Sequence, residues 1–102
     1  MQDVLEVLAS PRRREILRLV WDGELPAGEI ASHFRDVTWA TISQNLRVLR
    51  EAGLVTERRE GNWRFYRADR RALGSLRKVL QEMWETDLRR LRAAAAAERR
   101  RR

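Results

Sequence analysis

The chain has 102 residues, 43% of them apolar and 36% charged, enough for one compact domain with one core. Its formal charge of +7 and sequence pI near 11.4 point to a polyanionic partner, either nucleic acid or an anionic membrane surface. With no cysteine, a single histidine (His33) and no apolar run near the ~20 residues of a membrane span, disulfides, thiolate or His-rich metal sites and a spanning helix are excluded.

In chain order, Asp3 is placed to cap a first short helix reaching about Ala9. Ser10-Pro11 then reads as a restart, with serine at the N-cap and proline at the first helical position. The next turns put Ile16, Leu17, Val20 and Trp21 on one face and leave Arg12, Arg13, Arg14 and Arg18 mostly off it. Asp22-Gly23 stops this helix, and Leu25-Pro26 is extended because the residue before proline disfavours helical geometry. A short helix over 27–34 turns Ile30, Ala31 and Phe34 inward. After the turn Arg35-Asp36-Val37, Thr38 caps a helix over 39–52 that buries Ile42, Leu46 and Leu49 and stops at Gly53. Two helices, a short polar turn and a glycine stop make a helix-turn-helix.

From Leu54 the period changes. Residues 54–59 and 63–67 flank Glu60-Gly61-Asn62 and are rich in β-branched, aromatic and arginine side chains, the pattern of a two-stranded wing. Phe65 and Tyr66 alternate, so one of them is core. One long helix is expected over about 70–97, with Leu73, Leu76, Leu80, Trp84, Leu88, Leu91 and Ala95 stepping by three or four and Gly74 weakening its first turns. Residues 98–102 form a basic tail expected to fray. The charge is lopsided: residues 1–57 hold 7 basic and 9 acidic side chains, whereas 58–102 hold 15 and 6.

The stretches Leu8-Ala9-Ser10-Pro11-Arg12-Arg13-Arg14-Glu15-Ile16-Leu17 and Thr41-Ile42-Ser43-Gln44-Asn45-Leu46-Arg47-Val48-Leu49-Arg50-Glu51-Ala52-Gly53-Leu54-Val55, followed by a wing, resemble the ArsR family of winged helix-turn-helix repressors. The resemblance covers nearly the whole chain. It implies a mainly α fold with a small β-hairpin, dimeric through its terminal helices, that binds an operator and blocks transcription. The best-known branch senses metal through a Cys-x-Cys pair. The matching positions here are Pro26 and Gly28, which cannot ligate, and the last helix has no histidine for the family's second metal site. The pattern Trp84-x-x-x-Leu88-Arg89-Arg90-Leu91 is more similar to the metal-free branch. Asn45 stands where the family often has histidine.

No nucleophile–base pairing, phosphate-cradling glycine loop or paired-carboxylate cleft is present, so catalysis is not expected and no cofactor or metal is needed. Candidate DNA contacts are Thr38, Trp39, Ala40, Thr41, Ser43, Gln44, Asn45 and Arg47 on the second helix of the motif. In the wing they are Arg58, Arg59, Asn62 and Arg64. Gln44 suits a bidentate bond to adenine, whereas Trp39 and Trp63 suit either DNA or packing. Candidate dimer contacts are Val4, Leu5 and Leu8 with Leu76, Leu80, Met83, Trp84, Leu88 and Leu91. So small a domain leaves part of that stripe uncovered unless a second copy pairs with it. The expected partners are double-stranded DNA and a second copy of the chain, in the cytoplasm and away from membranes; no residue pattern specifies an inducing ligand. Two other readings compete. One is an adaptor binding another protein through the Leu/Trp helix, which predicts little DNA affinity. The other is architectural nucleic-acid binding, which predicts affinity without sequence preference. Thr, Ser and Gln on the reading helix favour the first reading.

Overall fold

Three of the four helices in the first half begin on a side chain that caps them in the computed structural model, which describes residues 3–101. The Asp3 carboxylate opens α1 (Val4–Leu8) by accepting from the Leu5 amide at 3.0 Å. Ser10 Oγ opens α2 (Pro11–Leu19) by accepting from the Arg13 amide at 3.3 Å, with Pro11 in the first turn. Leu25–Pro26 forms β1 and Ala27–Ser32 forms α3. Thr38 then caps α4 (Trp39–Glu51) through the Thr41 amide. The end of α4 is a Schellman stop. Gly53 takes φ +77° and donates to Arg50 O, while Leu54 N donates to Leu49 O at 3.0 Å. Leu49 and Leu54 are both buried, the apolar contact that accompanies this motif.

The wing pairs β2 (Val55–Glu60) with β3 (Trp63–Ala68), and Glu60 faces Trp63. The connection is therefore Gly61-Asn62 alone, one residue shorter than expected. Gly61 has φ +60° and Asn62 does not have positive φ, as in a type II′ turn with glycine at its first central position. The sheet also has a third strand, which the two-residue segment Leu25–Pro26 is too short to signal by alternation. β1 pairs with β3, Leu25 opposite Tyr66 and Pro26 opposite Phe65, giving the order β1-β3-β2. Pro26 is tolerated because β1 is an edge strand.

After Asp69 caps α5 (Arg70–Leu73), the chain tightens into a 3-10 turn at Gly74–Leu76 and continues as α6 (Arg77–Arg101). The single helix expected over 70–97 is thus broken near its start and longer at its end. The break falls at Gly74, where glycine costs a helix about 1 kcal/mol relative to alanine. Among the described residues, no helix is long and apolar enough to cross a membrane.

The core gathers Ile16 and Leu17 of α2, Ile30 of α3, Ile42, Leu46 and Leu49 of α4, Tyr66 and Ala68 of the wing base, and Leu73 and Leu80 of the last helices. Of the residues expected in a dimer interface, Leu8 and Leu80 lie inside the protomer's own core, at 5% and 1% exposure. Val4, Leu76 and Trp84 are half-buried against it. Trp84 meets Trp21 edge-to-face at 5.4 Å and donates its indole N–H to Arg14 O at 2.9 Å. Leu5, Met83, Leu88 and Leu91 remain exposed, as does Val79.

Arg14 departs most from its expected place off the buried face of α2. It is only 7% exposed, yet every nitrogen of its guanidinium has a partner. Nη1 donates to Leu8 O and Ala9 O, and Nε and Nη2 form a bidentate pair with Asp87 of α6 at 3.1 and 2.9 Å. A guanidinium so fully bonded can be buried, because the lost hydration is replaced at each donor. The neighbouring Arg13 also reaches back to α1, donating to Val7 O at 2.6 Å and Glu6 O at 3.3 Å. The two arginines therefore occupy the Val7, Leu8 and Ala9 carbonyls that the end of a short helix leaves unpaired, while Glu6 O also accepts from the Ala9 amide. Asp87→Ala should strip Arg14 of its counter-charge. Because the Asp87 side chain keeps 23% exposure, the loss should fall below the ~3–5 kcal/mol typical of breaking a fully buried pair. Chemical denaturation would show this as a lower midpoint; an unchanged midpoint would rule the pair out as a structural tie.

Candidate nucleic-acid interface

The caps and the buried row of α4 decide which of its side chains meet solvent. With Ile42, Leu46 and Leu49 at 1% exposure or less, Trp39, Ala40, Ser43, Gln44 and Arg47 lie on the outer side and are exposed. Ser43 and Gln44 make no side-chain hydrogen bond among the described residues, so their polar atoms face water. Thr38 and Thr41 are occupied differently. Their hydroxyls lie 3.2 Å apart and Thr38 holds the helix cap, so Thr38 shapes the entry to α4. Arg47 pairs with Glu51 one turn on, at 3.0 Å.

Asn45 does not join the outer row. It is half-buried, its Nδ2 donates to Thr41 O at 2.9 Å, and its Oδ1 accepts from Arg13 at 3.3 Å. Position 45 is next to the outward Gln44, and one residue is a 100° rotation on a helix. Its amide ties α4 to α2 instead. The exposed indole of Trp39, at 54%, favours the solvent-facing of its two possible placements.

Strand alternation sorts the wing into two faces. Arg59 and Arg64 face one another across the strands, on the same side as Glu57 and the buried Tyr66. That side looks toward α4, because Glu57 bonds Arg50 of α4 at 2.6 Å. Glu57 also accepts from Arg59 at 3.0 Å. The hydrogen bond from Arg59, and then the one from Arg50, hold the Glu57 carboxyl below the usual carboxylate range against the opposing effect of burial. A depressed pKa means that this link between wing and helix is present at neutral pH and is lost only when acid protonates the folded carboxylate. Burial raises the Tyr66 phenol, whose hydroxyl lies 3.4 Å from Glu57.

The opposite face carries Arg58, Trp63 and Phe65. Arg58, one of the candidate DNA contacts, is half-exposed, clasped by Glu24 and Glu60 and stacked 4.4 Å above the Phe65 ring. Those carboxylates raise its pKa, Glu24 contributing most. Trp63 stacks on Phe65 at 6.4 Å, so it covers the strand face while staying 62% exposed. Asn62 is exposed in the turn, and Arg64 is exposed with no carboxylate in an ion pair with it among the described residues. His33 sits at the exposed C-cap of α3. The burial of Arg14, the service of Asn45 to Arg13 and the capture of Arg58 all depend on partners distant in sequence. The one signal of them in the sequence is the run of three arginines directly after a helix restart.

A helix-turn-helix domain model matches residues 8–58, half of the chain, from the start of the α1–α2 junction into the wing. The chain is 35% identical over 66 residues to the transcriptional repressor SdpR of Bacillus subtilis, covering 65% of this chain and 72% of that protein. It also superposes on the crystal structure of a possible transcriptional regulator for arsenical resistance. That structure is 44% identical with a TM-score of 0.70, covering 91% of this chain and 96% of the other. A third similarity is to the homodimeric winged helix-turn-helix DNA-binding domain of a possible ArsR-family regulator from Mycobacterium bovis. Its solution structure is 34% identical with a TM-score of 0.68, covering 80% of this chain and 75% of that one. Because these relatives are regulators of transcription, not enzymes, and share the helix pair and wing described above, the chain belongs to the ArsR family of winged helix-turn-helix transcriptional regulators.

Proposed function

We propose that this protein is a sequence-specific repressor that binds a two-fold DNA operator as a homodimer, in the cytoplasm, and that metal ions do not control it. The observation that carries the reading is the outer row of α4. Ser43 and Gln44 are exposed, free of intramolecular partners, and flanked by Ala40 and Arg47 on a helix narrow enough for a major groove. The wing adds Arg59 and Arg64 on the side facing α4, where they are suited to phosphates beside that groove. Thr38, Trp39, Thr41 and Asn62 complete the surface at its rim, Asn45 supports it from within, and Arg58 lies exposed on the other face of the wing.

Dimerisation is supported by the apolar side chains that the protomer leaves outside its core. Leu5 on α1 lies with Met83 and Val79 of α6 around one groove, and the exposed Leu88 and Leu91 line a separate cleft beside Glu15 and Arg18 of α2. Left in water, such a patch is unusual for a monomer. Two copies related by a two-fold axis would cover it and present two reading helices together. The homodimeric relative from Mycobacterium bovis fits this arrangement. Residues 1–97 would then act as one winged unit, with the last helix as its dimerisation element.

Metal independence is supported by the donor set. Pro26 caps α3, Gly28 has no side chain, and the chain has no cysteine. Asp87, one of four carboxylates on α6 with Glu82, Glu85 and Glu98, is held by Arg14.

Three measurements test these readings. Gln44→Ala should relax preference at particular base pairs of an operator selected from a random pool, with a loss of about 1–3 kcal/mol for a bidentate contact. Arg64→Ala should instead weaken operator and scrambled duplex alike; equal losses from Gln44→Ala on both duplexes would reverse the assignment of the reading face. Leu5→Glu with Met83→Glu should give folded monomers with weak operator binding, since neither side chain is in the protomer core. Sedimentation of the unaltered protein as a monomer would dispose of the dimer. Zinc, cadmium and arsenite should leave operator affinity unchanged, and release of DNA by a stoichiometric ion would overturn the metal-independent reading.

A further inference from the structure

Positive charge in this protein is paired very unevenly. Every arginine in an ion pair lies between Arg12 and Arg59. On α6, by contrast, Arg89, Arg90, Arg92, Arg99, Arg100 and Arg101 form no ion pair among the described residues, and the one carboxylate in that stretch is Glu98. The macrodipole of α6 accounts for cations only in its last turn, which leaves Arg89, Arg90 and Arg92 without a helix-stabilising role of that kind.

The geometry of α6 carries these charges outward. Arg90 and Leu91 face Pro11, Arg12 and Phe34 across a cleft. Beyond it the helix runs through residues 92–101, about 15 Å at 1.5 Å per residue. Residues 93–97 are all alanine, the best helix former, so this stretch stays helical without a core beneath it. Arg12 in turn bonds Asp36 at 2.6 Å, two residues before the Thr38 cap of α4. The distal part of α6 therefore leaves the body beside the turn that leads into the reading helix.

We propose that residues 89–101 form a rigid cationic arm that grips DNA phosphates outside the segment read by α4. Only the choice of DNA as the polyanion rests on the operator-binding reading. The arm supplies affinity without sequence preference, through release of the counterions that its arginines displace. It thereby complements an α4 whose own Arg47 and Arg50 are paired with glutamates.

The test uses the full chain carrying Arg99→Gln, Arg100→Gln and Arg101→Gln together, since glutamine keeps the helix while removing the charge. Binding to a labelled random-sequence duplex would be followed across a salt series. The expected result is weaker binding and a log–log salt slope shallower by about 0.9 for each phosphate that the arm no longer neutralises. The corresponding lysine triple variant should recover the slope, because the interaction needs charge and not the guanidinium fork. Deleting residues 98–102 should reproduce the weakening. An unchanged slope would overturn the proposal. So would a loss explained by weaker dimerisation in sedimentation, which would place the arm on a second copy, or tighter binding to phosphatidylserine vesicles than to duplex. Failure of the operator reading would appear separately, as an unaltered protein that prefers no duplex while its salt slope still responds to the arm.

Discussion

The buried guanidinium of Arg14 is the point through which three helices are fixed relative to one another. It holds the carbonyls at the end of α1, belongs to α2, and grips Asp87 of α6 across 73 positions of sequence. Its own carbonyl receives the Trp84 indole. Such an arrangement is stable only when complete. Desolvating a guanidinium costs several kcal/mol unless every donor finds an acceptor, and here the acceptors come from separate elements. The pose of α6 over α2 is thus selected by hydrogen-bond geometry as well as by apolar packing. With α6 so placed, Leu80 is drawn inside while Met83, Leu88 and Leu91 remain exposed.

Arg13, beside it, extends the same logic toward α4. Its guanidinium bonds α1 carbonyls on one side and Asn45 of α4 on the other. α1 and α4 are thereby tied to one another through a single side chain of α2.

Charge is divided between architecture and binding. In the first two thirds of the chain, arginines mostly meet glutamates and aspartates of the same protomer, which positions the wing against α4 and α2 against the turn before it. Exposed pairs of this kind contribute little stability each, but they fix where side chains point. The excess cations fall on the later strand and the last helices, where carboxylates are sparse. Net positive charge thus gathers where carboxylates are few, whereas Ser43 and Gln44 on the outer side of α4 are uncharged.

The amino-acid sequence by itself determined the elements whose causes are local. Ser10-Pro11, Thr38 and Gly53 set helix ends through caps and positive φ, and the spacing of Ile42, Leu46 and Leu49 set which face of α4 looks out. The shift to alternation after Leu54 set the wing. These signals act within a few residues, so they can be read without the fold. Tertiary structure alone decided the pairing of β1 with β3, the burial of Arg14, the inward turn of Asn45 and the capture of Arg58 by Glu24. It also decided which leucines of α6 are core and which are surface. In each of those four cases the deciding partner lies 32 or more residues away, and periodicity along one segment carries no information about what another segment brings to meet it.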